Sequence, residues 1–121
     1  MAHDVVVIGG GNAALCAALA AREGGASVLV LEKAPESERG GNSFFTAGGF
    51  RFAFKSFDEL RTIVGDMSDE EAASMEVDPY TEDQYYDDLM RVTEDLADPD
   101  LALLLVRESQ PTVRWMRYVT G

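Results

Sequence analysis

The sequence predicts an α/β protein that opens with a parallel βαβ unit and continues as a mainly helical segment. Two short apolar runs, at residues 3–8 and 27–31, are rich in β-branched residues, as buried strands are. An alanine-rich stretch between them favours a helix. Strand, helix and strand within about 30 residues imply a parallel pair with a right-handed crossover. We therefore divide the chain into residues 1–55 and an acidic, mainly helical segment, residues 56–121, of the same incomplete domain.

The first helix is predicted over residues 12–23, where Gly24 and Gly25 end it. Its sequence is apolar nearly all round, so we expect it to be buried rather than amphipathic. Residues 33–49 predict a long irregular loop, and the alternating "FRFAF" at residues 50–54 is typical of a short strand.

The second part predicts a succession of helices. A weak candidate spans residues 58–64, and one helical turn follows Ser68. Thr81 is a predicted N-cap for a helix that continues through residue 96. Asp98 and Pro99 begin another helix, which runs to about residue 108, and Pro111 opens a last one, to about residue 119. In the Thr81 helix, the apolar side is formed by Tyr85, Leu89, Val92 and Leu96.

The charge distribution limits the partners that the chain can have. The net charge is -12, and residues 61–121 carry 15 acids against 5 bases. Nucleic acid and anionic membrane would be repelled by such a chain. The acidic half is either a solvated surface or a surface that binds a partner protein.

The sequence also bears on location. No apolar run is long enough to span a membrane, and the N-terminus lacks the basic region of a signal peptide, so we expect a cytoplasmic protein. The single cysteine, Cys16, excludes an internal disulfide.

The turn between the first strand and the helix carries a dinucleotide-binding pattern. Gly9, Gly11 and Ala14 satisfy G-x-G-x-x-G/A, in which the glycines allow the tight turn and the close approach of a pyrophosphate. The pyrophosphate would lie at the N-terminus of the helix, where free N–H groups favour an anion. Glu32 lies at the end of the second strand, where a carboxylate can accept hydrogen bonds from an adenosine ribose. The pattern predicts a partial Rossmann-like unit that binds NAD or FAD, while Glu32 argues against NADP.

A second glycine cluster, "GGNSFFTAGG", follows at residues 40–49. Its polar side chains and glycines could meet the far half of a dinucleotide held at the first loop. The alternative is a disordered glycine loop.

Together these motifs resemble the flavoprotein family of fumarate reductases and succinate dehydrogenases. The resemblance covers nearly the whole chain, including "YYDDLMRVTEDLADPDLALLLVRESQPTVRWMR". Within that family the chain is most similar to FAD-dependent tricarballylate dehydrogenases, through "GGGNAALCAALAAREGGASVLVLE" and "GGNS". It departs from them at Phe44, Phe45 and "TAGGF".

The resemblance implies FAD as the cofactor. The pyrophosphate and adenosine would lie against the first loop and Glu32, and the phosphates, ribityl chain and isoalloxazine against the second cluster. A histidine that bonds covalently to the flavin in some members corresponds to Asn42 here, which implies non-covalent binding. The predicted cofactor-binding residues are Gly9, Gly10, Gly11, Asn12, Ala13, Ala14, Glu32, Lys33, Ala34, Gly40, Gly41, Asn42, Ser43, Thr46, Ala47, Gly48 and Gly49.

The resemblance further implies a flavin-dependent oxidoreductase that acts on a small polycarboxylate such as tricarballylate, fumarate or succinate, with an electron-acceptor protein as a second partner. Enzymes of the family are several times longer, and their substrate-binding arginine and histidine residues lie in later segments. We therefore expect this chain to be the N-terminal part of such an enzyme, without catalytic residues or metal ligands of its own and inactive alone. The alternatives are a cobalamin-pathway flavoprotein similar to precorrin-3B synthase, and a non-catalytic nucleotide-binding module whose acidic half docks a partner.

Overall fold

The computed structural model describes residues 2–120 and divides the chain into two compact units, the first ending at Gly49 and the second beginning at Phe50. The first unit is α/β and the second is mainly helical. The division at residue 55 made from the sequence stays a prediction.

The first unit contains the predicted βαβ arrangement. Strand β1 (Val5–Ile8) and strand β2 (Val28–Leu31) form a two-stranded parallel sheet, joined by helix α1 (Asn12–Glu23). The register pairs Val5 with Val28 and Ile8 with Leu31. Two strands do not define the strand order of a doubly wound sheet, so the Rossmann-like assignment stays a prediction.

A polar contact aligns the two strands where they begin. The Asp4 carboxylate accepts hydrogen bonds from the Ser27 hydroxyl, at 2.6 Å, and from the Ser27 backbone N–H, at 2.9 Å. These bonds, led by that of the hydroxyl, hold the pKa of the Asp4 carboxyl below its ordinary value. Because both strands are tied at the same end, their opposite ends and the residues that follow also lie side by side.

The predicted burial of this unit is wrong. Helix α1 has no buried residue, and of the two strands only Val7 is buried. Ile8 is 85% exposed. One helix lies against a sheet of two strands, and that surface is too small to cover apolar residues on all sides of both elements.

The segment between residues 33 and 49, predicted to be irregular, contains two short 3₁₀ helices. They span Glu36–Glu38 and Gly41–Phe45. Gly40 precedes the second one with a φ of 109°, a conformation that favours glycine.

Within residues 50–120, the second unit contains four helices. They are α2 (Phe57–Val64), α3 (Asp69–Ala73), α4 (Glu82–Val92) and α5 (Pro99–Thr120). The predicted N-cap at Thr81 and the predicted helical turn after Ser68 are confirmed, and both residues form a capping box with the residue three positions later. Both features could be predicted because their signals, a Ser or Thr followed three positions later by Glu or Gln, are local in sequence.

The core of this unit lies between α4, α5 and the segment before α2. Ala53, Tyr85 and Val106 form the buried cluster, with Tyr80 and Tyr86 packed against it. The hydroxyl of Ser109, also buried, accepts a hydrogen bond from the Ala53 N–H at 3.2 Å.

Two predicted elements of the second unit are wrong. Residues 50–54 form no strand, because they find a single antiparallel bridge, between Phe54 and Tyr80, rather than a partner strand. Helix α4 ends at Val92 rather than at residue 96, because Glu94 and Asp95 have φ values of 53° and 59° and leave the helical region. Of the predicted apolar side, Val92, the last residue of the helix, is 63% exposed, and Leu96, beyond the end of the helix, is 86% exposed.

The predicted break before Pro111 is also wrong, since α5 runs through it. Proline removes the hydrogen bond to the carbonyl four residues earlier, which destabilises a helix. Contacts with α2 hold the second half in line: Gln110 Nε2 donates to Glu59 Oε1 at 2.7 Å, and Arg114 donates to Thr62 Oγ1 at 3.2 Å. Tertiary contacts thus override the local signal.

Candidate functional site

The turn after β1 has the conformation that the glycine pattern predicts. Gly9 has a φ of 111°, and its N–H donates to the Leu31 carbonyl at 2.7 Å, which continues the pairing of the strands. A Cβ at Gly9 would lie 3.8 Å from the Cβ of Ala14. The turn and the first turn of α1 therefore pack at ordinary contact distance, as expected for a small residue at position 14.

The N-terminus of α1 is open to a ligand on its backbone side. Gly11 is the N-cap and supplies no side-chain acceptor. The first backbone bond to close runs from the Leu15 N–H to the Gly11 carbonyl, at 3.0 Å. The N–H groups of Asn12, Ala13 and Ala14 precede it and have no acceptor within the helix, so this end carries the partial positive charge that attracts an anion.

Glu32, directly after β2, lies over the first glycine turn. Its carboxylate accepts a hydrogen bond from the Ala34 N–H at 2.8 Å. That amide, followed by those of Lys33, Gly10 and Gly40, holds the pKa of the carboxyl below its ordinary value, so the side chain is ionised at neutral pH. A Cβ at Gly10 would come within 2.7 Å of Glu32 Oε2.

The second glycine cluster reaches the same place. The Ser43 hydroxyl accepts a hydrogen bond from the Asn12 N–H at 3.0 Å, across 31 positions of sequence. A Cβ at Gly11 would lie 3.2 Å from the Gly40 carbonyl oxygen. The two clusters therefore meet directly at the N-terminus of α1, where the sequence predicted only that one ligand could touch both.

The remaining predicted residues form a separate turn or the exposed rim. Thr46 and Gly49 are joined by a backbone bond of 3.2 Å, and Ala47 and Gly48 between them have φ values of 52° and 77°. Within residues 2–120, the hydrogen bonds of this turn are local. Lys33, Gly41 and Asn42 are exposed.

This arrangement fits a dinucleotide. Three features converge: glycines where a Cβ would fill the cradle, the N–H groups of Ala13 and Ala14, which have no acceptor within the helix, for a pyrophosphate, and an ionised carboxylate at the end of β2 for a ribose. The link between Ser43 and Asn12 was missed from the sequence. A glycine N-cap leaves a backbone donor without a side-chain partner, and that signal could have prompted a search for an acceptor elsewhere.

Comparison with known proteins gives the family. The profile described as FAD binding domain matches residues 4–119. The chain belongs to this FAD-binding domain family. FAD is accordingly the cofactor of this domain.

Similar proteins are fumarate-reducing enzymes by name. This FAD-binding domain is 32% identical to "Fumarate reductase (cytochrome)" of Shewanella frigidimarina over 113 residues, which are 93% of this chain and 17% of that protein. It is 43% identical to "NADH:fumarate oxidoreductase" of Klebsiella pneumoniae (strain 342) over 61 residues, 50% of this chain and 6% of that protein. The chain thus spans about a sixth of the length of the first relative and less of the second.

Two further properties of the FAD-binding domain concern membrane-spanning helices and metal ligands. In residues 2–120, no helix is long and apolar enough to cross a membrane. The same residues contain no group of three His, Cys, Asp or Glu side chains that could hold a metal ion.

Proposed function

We propose that the chain is the FAD-binding part of a flavin-dependent oxidoreductase that acts on a small polycarboxylate. The observation that carries the proposal is the meeting of both glycine clusters at the N-terminus of α1, with the Glu32 carboxylate beside them. The names of the relatives, which reduce fumarate, support a dicarboxylate or tricarboxylate substrate. Tricarballylate, fumarate and succinate are the candidates.

The residues of this chain bind and orient the cofactor. The N–H groups of Ala13 and Ala14 face the pyrophosphate, and Glu32 accepts from the adenosine ribose. The second cluster, with Asn42 and Ser43, contacts the phosphates and the ribityl chain, and the Thr46–Gly49 turn flanks the isoalloxazine. When bound, FAD supplies hydride transfer to or from a carbon next to a carboxylate.

A titration tests the cofactor assignment. We expect the purified chain to bind FAD with one-to-one stoichiometry, followed by flavin fluorescence, and to bind NADP far more weakly, because the Glu32 charge repels a 2′-phosphate. Tighter binding of NAD than of FAD would contradict the proposal.

A turnover assay tests the substrate class. We expect a longer protein that contains this chain to reduce fumarate with a reduced dye, or to oxidise tricarballylate or succinate with an oxidised one. We expect the 121 residues alone to show no turnover, because the family resemblance places the substrate-binding and proton-donating residues of such enzymes in later segments. Turnover by the chain alone would show that the active site lies within it.

A second candidate, a nucleotide-binding module that docks a partner, is favoured by the surface of α5. Leu101, Leu104 and Leu105 are at least half exposed, in a part of the chain rich in acids. An electron-acceptor protein with a basic face would match that charge. Salt-sensitive binding of a basic redox protein, weakened by Leu104→Ser, would support this candidate, and binding unaffected by salt would contradict it.

A further inference from the structure

The hydrogen bond between Ser43 and Asn12 fastens the second glycine cluster to the N-terminus of α1, and we call it the latch. Asn12 is the first residue of α1, and its N–H has no acceptor within the helix. The Ser43 hydroxyl, from a 3₁₀ helix 31 positions later, provides one at 3.0 Å. The bond therefore does for α1 what an N-cap side chain does for other helices, and it does so from the second glycine cluster.

The geometry around this bond shows that the clusters are closely docked. The Gly40 carbonyl would be 3.2 Å, and the Ser43 hydroxyl 3.5 Å, from a Cβ at Gly11. On the other side, a Cβ at Gly10 would come within 2.7 Å of Glu32 Oε2, so this carboxylate lies close against the first glycine turn. The second cluster is thus held against the first by the Ser43 hydroxyl and by the close approach of the Gly40 carbonyl to Gly11, both of which are contacts within the chain.

We propose that Ser43 is a positioning residue, whose hydroxyl fastens the second glycine cluster to α1 before FAD binds and so presets the pyrophosphate cradle. The inference rests on the proposed function and deepens it, because it assigns the order of events at that site. FAD then meets a formed cradle and does not have to order the second cluster on binding, which lowers the entropic cost of association.

The direction of the bond gives Ser43 a second use. A hydroxyl that accepts from an N–H keeps its own hydrogen, which must point away from that amide. At the N-terminus of α1 this hydrogen is available to a pyrophosphate oxygen, and the bond already accepted from Asn12 strengthens the donor.

The first test measures the latch without any cofactor. We expect the Asn12 amide of the cofactor-free chain to exchange its hydrogen about tenfold faster in Ser43→Ala than in the wild type, because the amide loses its acceptor. Ser43→Thr keeps the oxygen and should restore the slow rate. Ser37→Ala, an exposed serine in the same segment, is the matched control and should leave the Asn12 rate unchanged. Circular dichroism verifies that each variant is folded.

The second test measures the consequence for binding. In an FAD titration, Ser43→Ala should raise Kd about tenfold, which corresponds to ~1.4 kcal/mol, and Ser43→Thr should recover most of that loss. An equal exchange rate of the Asn12 amide in the wild type and in Ser43→Ala would overturn the proposed role of Ser43, whether or not the Kd for FAD changes. Failure of the wild type to bind FAD, with the exchange difference intact, would instead overturn the proposed function alone.

Discussion

The Ser109 hydroxyl accepts a hydrogen bond from the Ala53 N–H at 3.2 Å and donates one to the Val106 carbonyl at 2.7 Å, in the buried centre of the second unit. A side chain of α5 thus accepts the hydrogen bond from a backbone N–H that would otherwise need a carbonyl of a neighbouring strand. This bond fastens the segment before α2 to α5, although the segment is not a strand.

Replacement of Ser109 by alanine should therefore destabilise the second unit. The buried Ala53 N–H loses its acceptor, and an unsatisfied buried donor costs about 1–3 kcal/mol. Urea unfolding followed by Trp115 fluorescence measures the change. Ser74→Ala removes an exposed hydroxyl that donates to the Glu71 carbonyl and should cost much less. Equal losses in the two variants would mean that the bond to Ala53 contributes nothing.

Gly11→Val should abolish FAD binding while α1 still forms. The new side chain would meet the Gly40 carbonyl and Ser43, so it displaces the second cluster as well as obstructing the pyrophosphate. Flavin fluorescence and far-ultraviolet circular dichroism report the two effects. Gly24→Ala, at the other end of the same helix with an ordinary φ of -71°, is the control and should bind normally. A Gly11→Val protein fully loaded with FAD would disprove the phosphate-loop assignment.

Glu32→Ala should raise the Kd for FAD roughly tenfold or more, which is the scale for losing a charged hydrogen bond. Gly10→Ala should also weaken it, because the new Cβ would come within 2.7 Å of Glu32 Oε2 and push the carboxylate aside. If Gly10→Ala acts through that carboxylate, it should add little in the Glu32→Ala background. Fully additive losses in the double variant would show that Gly10 matters for another reason.

Asp88 should make stability depend on pH in the acid range. The Arg91 guanidinium, and then the Tyr80 hydroxyl, hold the pKa of the Asp88 carboxyl below its ordinary value. A lowered folded pKa stabilises the fold above the unfolded pKa of about 3.9, and that contribution is lost as pH falls through the folded pKa.

The urea midpoint of Asp88→Asn should therefore lie below that of the wild type at about pH 6, and the difference should shrink at about pH 3 and below. Asp87→Asn, an exposed neighbour, is the comparison and should follow the wild-type profile. A difference between Asp88→Asn and wild type that does not change with pH would exclude the ion pair as its source.

FAD should be bound without a covalent bond. Asn42, the position that corresponds to the flavin-linked histidine of some family members, carries an amide nitrogen that is a poor nucleophile, and the single histidine is His3. Acid denaturation of the FAD-loaded protein should release all flavin fluorescence into the supernatant. A protein mass raised by one FAD would show the opposite.

Short motifs in the sequence predicted many elements of this fold. The errors arise where an element depends on contacts between residues that are distant in sequence. The bounds of α1, the helical turn after Ser68 and the N-cap at Thr81 followed from residues within a few positions of each other. Residues 50–54 alternate like a strand, but a strand also needs a partner, and only Phe54 finds one bridge. Pro111 predicted a break that distant contacts with α2 prevent.

The same division holds at the candidate site. The glycine pattern and Glu32 were found because their spacing is fixed by one turn and one strand. The contact between Ser43 and Asn12 depends on how residues 33–43 fold back, and no short motif encodes that path. The roles of the predicted cofactor-binding residues stay predictions until the variants above are measured.

The small sheet of the first unit also affects how the 121-residue chain by itself behaves in concentrated solution. In residues 2–120, β1 pairs with β2 alone, so each strand keeps one edge of unused backbone donors and acceptors, next to side chains such as Val6 and Ile8, which are 53% and 85% exposed. Such edges promote aggregation by strand addition between molecules. The net charge of -12 opposes that encounter at neutral pH, and this protection vanishes near the isoelectric point of about 4.3. The acidic residues of the helical half therefore oppose aggregation through the exposed sheet of the other half, because they make the molecules repel one another.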